Sequence, residues 1–271
     1  MKFLNNKRNL FFILIVFFII IFLTIFIGPR KESDLCYNGV HNQGEIGIDC
    51  GGNCHVMCHE ISRLEIEKTF IVNANNGLTV LVNNSNSLYG LSSFSYDIIG
   101  YNEQGEEVVR KTDQSYILPR QEKYLSCFDI EDSLISEIKS INIEIYKENW
   151  NKFSQFTAPN LLIINKKINE TGENLIMMAS GRLVNDSVYN IKEVNVVAII
   201  FDETGELIAT TRTNINDIDS KEKRDFKVTW PTNQNNVSRF EMLSEVNIFQ
   251  EPGFVKEFTP EKVSVHYINK I

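Results

Sequence analysis

Eighteen consecutive residues near the amino terminus, LFFILIVFFIIIFLTIFI (residues 10–27), carry a single polar side chain, that of Thr24. As a helix rising 1.5 Å per residue, such a run is about 27 Å long, close to the roughly 30 Å hydrocarbon core of a bilayer. A cleaved signal peptide has a shorter apolar region, about 7–15 residues, and ends in small residues before the cut. This run closes instead on IFIGPRKES, with Phe26, Ile27 and Gly28 where small residues are needed. The expectation is an uncleaved transmembrane anchor over residues 10–28, seated in membrane lipid. Lys2, Lys7, Arg8 and the amino terminus precede the run, while Arg30 and Lys31 follow it, offset partly by Glu32. The positive-inside bias keeps residues 1–9 cytoplasmic and carries everything from Pro29 onward across the plasma membrane.

An exported segment enters an oxidising compartment, where closely spaced cysteines pair. Residues 36–59 hold four of the five cysteines, Cys36, Cys50, Cys54 and Cys58, and three of the four histidines. Val40, Ile46, Ile48 and Val56 are the only aliphatic residues there. A segment this short buries too little apolar surface to hold itself together and needs a covalent staple. Two disulfides are expected, with all three pairings open. The alternatives are weaker. CHVMCH is one residue longer than the haem-attachment signature C-x-x-C-H. Zinc could draw on the four cysteines, His55 and His59, but disulfide formation competes for exported thiolates. Asn42, Glu45 and Asp49 offer calcium oxygens, yet Gln43 leaves that loop short of charge. Cys36, Asn38, Gly39, Val40, Asn42, Gly44, Glu45, Gly47, Ile48, Asp49-Cys50-Gly51-Gly52 and Cys54 resemble a D-C-G-G-x-C type cysteine motif of exported microbial surface proteins. That resemblance implies an extracellular, often membrane-proximal module over residues 29–60 and implies no known catalytic activity.

The remainder is duplicated. LVNNS (residues 81–85) aligns with LVNDS (183–187), and NEQGE (102–106) with DETGE (202–206); from there the offset stays at 100. A period of that size is a whole domain rather than a solenoid repeat. Val194, Val196, Ala198 and Ile200 alternate with a mixed face, as do Phe94, Tyr96, Ile98 and Gly100, then Ile141, Ile143 and Ile145, then Phe226, Val228 and Trp230. DETG and NEQG, each with a Gly in fourth place, predict hairpin loops. Short strands between turns every 8–12 residues, without a periodic soluble helix, predict antiparallel β-sandwiches over residues 61–155 and 156–271.

Gly181, Val184, Asn185, Ser187 and Ile200-Phe201-Asp202 resemble the FxLYD family of small immunoglobulin-like β-sandwich domains, with Gly100-Tyr101-Asn102 at the turn of the first copy. The resemblance implies two tandem immunoglobulin-like domains of an exported or membrane-anchored protein. It assigns them no reaction.

In the Val-Asn-[Asn/Asp]-Ser stretch of each copy, residues 82–85 and 184–187, an Asx side chain can bond its own backbone two residues on and close a strand end. Asn83, Asn169, Asn185 and Asn236 also begin N-x-[ST] sequons. Under the offset of 100 the fifth cysteine, Cys127, falls on Lys227, with Tyr124, Ser126, Phe128 and Ile130 inward. An outward thiol of this kind could be free or form an intermolecular bridge. A shift of one residue places it on Val228, as a small buried hydrophobe. Val263, Val265 and Tyr267 alternate, which predicts a closing strand within the second domain.

The formal charge of −8 argues against nucleic acid as a partner. No G-x-S-x-G, phosphate-binding G-x-x-x-x-G-K-[ST] or H-E-x-x-H is present, and His266 is the only histidine beyond residue 59. The expectation is a non-enzyme without cofactors: a single-pass surface structural or interaction module contacting other envelope proteins, with homo-oligomers open. Alternatives are a redox or metal protein (zinc or haem) built on residues 36–59, and an accessory subunit of a membrane or envelope complex.

Overall fold

The computed structural model describes residues 15–17, 19, 34–42, 44–171, 176–231 and 237–268. The chain divides into two compact units, residues 1–58 and 59–271. The expected anchor lies almost wholly outside the described residues. Its four described members, Ile15, Val16, Phe17 and Ile19, are helical and exposed. Among the described residues no helix is long and apolar enough to cross a membrane.

The larger unit is mainly β, and its sheets stack in sandwich-like pairs. In its first half β2 (Glu65–Val72), β3 (Gly77–Asn83) and β6 (Glu122–Cys127) form one sheet in the order β2-β3-β6. Facing it are β4 (Tyr89–Tyr101), β5 (Glu107–Ile117) and β7 (Ser140–Lys152), with β4 central. The alternation read from the sequence sets the faces. Phe94, Tyr96 and Ile98 of β4 meet Leu78, Val80 and Val82 of β3, while Ile141, Ile143 and Ile145 of β7 close one side. Burying each large side chain contributes about 1.5–3 kcal/mol. A short helix, α1 (Asp132–Glu137), adds Ile135 to this core.

The second half repeats the plan. β8 (Leu161–Thr171), β9 (Ile176–Asn185) and β12 (Lys223–Pro231) make one sheet, ordered β12-β9-β8. β10 (Ile191–Phe201), β11 (Leu207–Ile218) and β13 (Arg239–Glu245) make the other, ordered β11-β10-β13. Val194, Val196, Ala198 and Ile200 of β10 pack with Phe226, Val228 and Trp230 of β12 in the second core. The two expected hairpin loops close alike: the N–H of Gly105 donates to the Asn102 carbonyl and that of Gly205 to the Asp202 carbonyl, both at 3.1 Å. Gly105 and Gly205 sit at φ +78° and +82°, in the left-handed region that glycine enters without a Cβ penalty.

The carboxyl end departs from its expected place. After α2 (Pro252–Phe258), which sends Phe254 and Phe258 into the second core, the chain crosses back to the first half. There β14 (Glu261–Lys262) pairs with β7, and β15 (Val265–Tyr267) pairs in parallel with β1 (His59–Ile61). Val265 joins Ile61 and Trp150 in the first core, and the Trp150 indole N–H donates to the Tyr267 hydroxyl at 3.1 Å. The strand predicted for the second domain therefore completes the first. Its alternating apolar residues find their cover there.

Candidate functional site

The smaller unit contains the cysteine module. Cys36 bonds Cys54 and Cys50 bonds Cys58, with Cα separations of 5.7 and 5.1 Å. Of the three pairings open in the sequence, this one crosses the module twice. Asp49 holds the first loop: its carboxylate accepts the backbone N–H groups of Asn38 and Gly39 at 2.9 Å each. The D-C-G-G run has a steric reason. A Cβ on Gly52 would lie 1.8 Å from the Gly44 carbonyl oxygen, a distance no side chain can occupy. Glu45 is buried, and its carboxylate accepts the Asn42 N–H at 3.2 Å.

The zinc reading loses its four thiolates here. Among the described residues one group of potential ligands lies within mutual reach, Cys36, Glu45 and Cys54, and its two sulfurs are bonded to each other. A disulfide sulfur is a poor substitute for the thiolate that zinc takes. His55 is exposed, and the ring of His59 lies 3.3 Å from the Tyr89 hydroxyl.

The larger unit has its own polar centre, at the junction of its halves. Ile199 and Phe201, on the mixed face of β10, pack with Val72 and Leu207. Beside them Lys123 and Glu245 form a buried ion pair, with side chains 6% and 8% exposed. The Lys123 ammonium also sits 4.0 Å from the centroid of the Tyr116 ring. Burial, then the charges of Glu245 and Glu193, hold the Tyr116 phenol well above its ordinary pKa. The Tyr116 hydroxyl and Glu245 Oε1 make no hydrogen bond. A cleft of about 170 Å³ opens here, walled by Tyr96, Asp113, Tyr124 and Arg212 as well as the ion pair. Drug-sized ligands fill about 300–1,000 Å³, so this cleft suits water or a very small molecule.

No family model matches the chain, and no curated protein matches it. Similar solved structures include a red sea bream transglutaminase (10% identity, TM-score 0.21), covering 78% of this chain and 32% of that one. A Bacteroides uniformis beta-glucuronidase is 11% identical with a TM-score of 0.24, over 62% of this chain and 22% of its own. The structure titled pT26-6p is 11% identical with a TM-score of 0.18, over 69% and 62%. The chain thus spans a minor part of the two enzymes. At such scores the likeness bears on neither fold nor activity.

The structure corrects the register of the duplication. Asn84, not Asn83, is the counterpart of Asn185. Asn84 Nδ2 donates to the carbonyls of Tyr89 and Leu118 at 2.8 and 2.9 Å. Asn185 Nδ2 donates to those of Tyr189 and Asp219 at 2.7 and 3.0 Å. Their backbone N–H groups donate to Gln121 and Glu222 respectively. Asn83 points instead to Glu67 at the surface.

The offset of 101 that joins Asn84 to Asn185 also puts Cys127 on Val228. Leu125 is buried on the inward face, and Cys127 is half-buried against the first core with no disulfide partner. Tyr124, Ser126 and Phe128, expected inward, line the cleft instead, while Ile130 is buried. Burial pushes the Cys127 thiol above its ordinary pKa. Of the sequons, Asn185 is wholly buried, Asn83 half-buried and Asn169 exposed, and Asn236 lies outside the described residues.

Proposed function

We propose that the chain is a single-pass, membrane-anchored extracytoplasmic protein. In this reading it performs no catalysis, and its paired sandwiches are a rigid structural or interaction module held off the membrane surface. The sandwiches are read as immunoglobulin-like domains of the FxLYD type, behind a D-C-G-G-x-C module. Residues 1–9 stay in the cytoplasm and residues 10–28 span the plasma membrane.

One observation carries the reading. Residues 36–58, beginning nine residues beyond the apolar run, have all four cysteines committed to two disulfides. Structural disulfides persist where the compartment is oxidising, and a run of 18 apolar residues is a route there. Rigidity is supported by the strand β15 and the buried Lys123–Glu245 pair, which tie the two halves of the larger unit together. A spacer needs that property.

The test is a protease-protection experiment on intact cells carrying a carboxyl-terminal epitope. External protease should remove the epitope while a residual fragment containing residues 1–28 stays with the membrane. An epitope protected until the cells are lysed would overturn the proposed location.

A further inference from the structure

The cysteine module is built inside out, and that layout points to its neighbour. Its interior is sulfur and one carboxylate: Cys36, Cys50, Cys54 and Glu45 are buried. Its hydrocarbon faces outward. Tyr37 is 62% exposed, Val40 56%, Ile46 55%, Ile48 44% and Met57 78%. Only Val56, half-buried, is partly sheltered. Scattered single apolar side chains on a surface need no explanation; here five lie within 21 residues of a module whose interior holds none of them.

The charge pattern agrees. Residues 36–58 contain no lysine or arginine and only two carboxylates. Glu45 is buried, and Asp49 is occupied by the N–H groups of Asn38 and Gly39. Few charges would have to be stripped of water if this surface left it, and desolvating unpaired charge is the main obstacle to such a transfer.

Chain length supplies the partner. Eight residues, 28–35, separate Ile27 from Cys36. Even fully extended they reach about 28 Å. If residues 10–27 are seated in lipid, the module is held within about 28 Å of the bilayer surface.

We infer that the cysteine module docks on the bilayer surface, with Tyr37, Val40, Ile46, Ile48 and Met57 in the boundary between headgroups and acyl chains. The partner is a lipid surface. Tyrosine is favoured at that depth because its ring is apolar and its hydroxyl stays wet. The disulfides fit the same role, since they hold the backbone folded without an apolar interior and leave the hydrocarbon for the membrane. This inference rests on the tether proposed above.

The full chain, with methionine methyl groups labelled with carbon-13, is placed in lipid nanodiscs with and without lipid carrying a nitroxide at acyl carbon 5. Interfacial side chains sit about 5–10 Å into the headgroup and acyl boundary. The Met57 methyl signal should therefore lose most of its intensity. Met177 and Met242, buried in the second core, are the internal references and should change little. A parallel wash of vesicles with alkaline carbonate reports the tether separately. Chain retained with Met57 broadened supports the docked module. Chain retained with Met57 no more affected than Met242 overturns the docking and leaves the tether standing. Chain released by the wash removes the tether, and the inference with it.

Discussion

The two compact units solve the same problem with opposite materials. In residues 59–271 hydrocarbon fills two cores, and polar side chains face water or each other. In the cysteine module two disulfides and a buried carboxylate occupy the interior, and the hydrocarbon is outside. The difference follows from size. A chain of more than 200 residues buries enough surface to offset its conformational entropy, while one of some 25 residues does not. What the small unit gains is freedom of surface: with covalent bonds holding it, its apolar side chains are available for something else.

Each unit can be struck at its own support. Glu245→Ala leaves the Lys123 ammonium buried without its counter-charge. Removing one partner of a buried pair costs about 3–5 kcal/mol, which lowers Tm by roughly 6–20 °C in a unit of this size. The double variant Lys123→Met, Glu245→Leu should recover most of that loss, because a well-packed apolar pair replaces the ion pair with little penalty. Calorimetry with the disulfides intact reads both. If the single and double variants melt alike, the ion pair is not what the junction leans on.

Cys50→Ser strikes the other unit. Losing a disulfide from a small domain typically costs about 2–5 kcal/mol. With so little apolar interior, the module should lose its amide protection while residues 59–271 keep their melting temperature. Hydrogen exchange followed by mass spectrometry separates the two responses. Protection retained through residues 36–58 would show that sulfur is not the support.

Much of the larger unit was legible because period-two alternation is a local signal. Val194, Val196, Ala198 and Ile200 face inward as their spacing requires, and NEQG and DETG turn as their glycines require. Three things were not legible, for one reason: alternation gives a face but not a neighbour. The three residues of β15 fit any open edge, and only the finished fold shows that β1 is the edge they find. Lys123 has the sequence character of a surface residue, yet lies buried because Glu245 arrives from 122 positions away. The pairing of the cysteines depends on how Asp49, Gly51 and Gly52 turn the chain, and spacing does not encode that.

A further failure of legibility, the register of the repeat, yields a prediction of intermediate size. LVNNS and LVNDS align by letters, which pairs Asn83 with Asn185, but the buried carboxamide of the first copy is Asn84. Asn84→Ala and Asn185→Ala each strand buried carbonyls, at a cost of about 1–3 kcal/mol. Asn83→Ala, at the surface, should stay within about 0.5 kcal/mol. Equal effects at Asn83 and Asn84 in urea denaturation would show that the alignment by letters was right.

The smallest effect belongs to Cys127, the one cysteine on the hydrocarbon side of the comparison. Half-buried against the first core, with its thiol pushed up by burial, it holds the place that Val228 holds in the second copy. Cys127→Val should therefore shift stability by less than about 1 kcal/mol, since volume and polarity barely change. The native thiol should also react slowly with iodoacetamide at neutral pH. A raised pKa keeps the thiolate, the reactive form, scarce until pH climbs above the ordinary cysteine range. Labelling should accelerate with pH and reach its midpoint later than for free cysteine, and C127S should abolish it without touching the four paired sulfurs. Fast labelling at neutral pH would mean that the thiol faces water, returning Cys127 to the Lys227 register and to a role between chains.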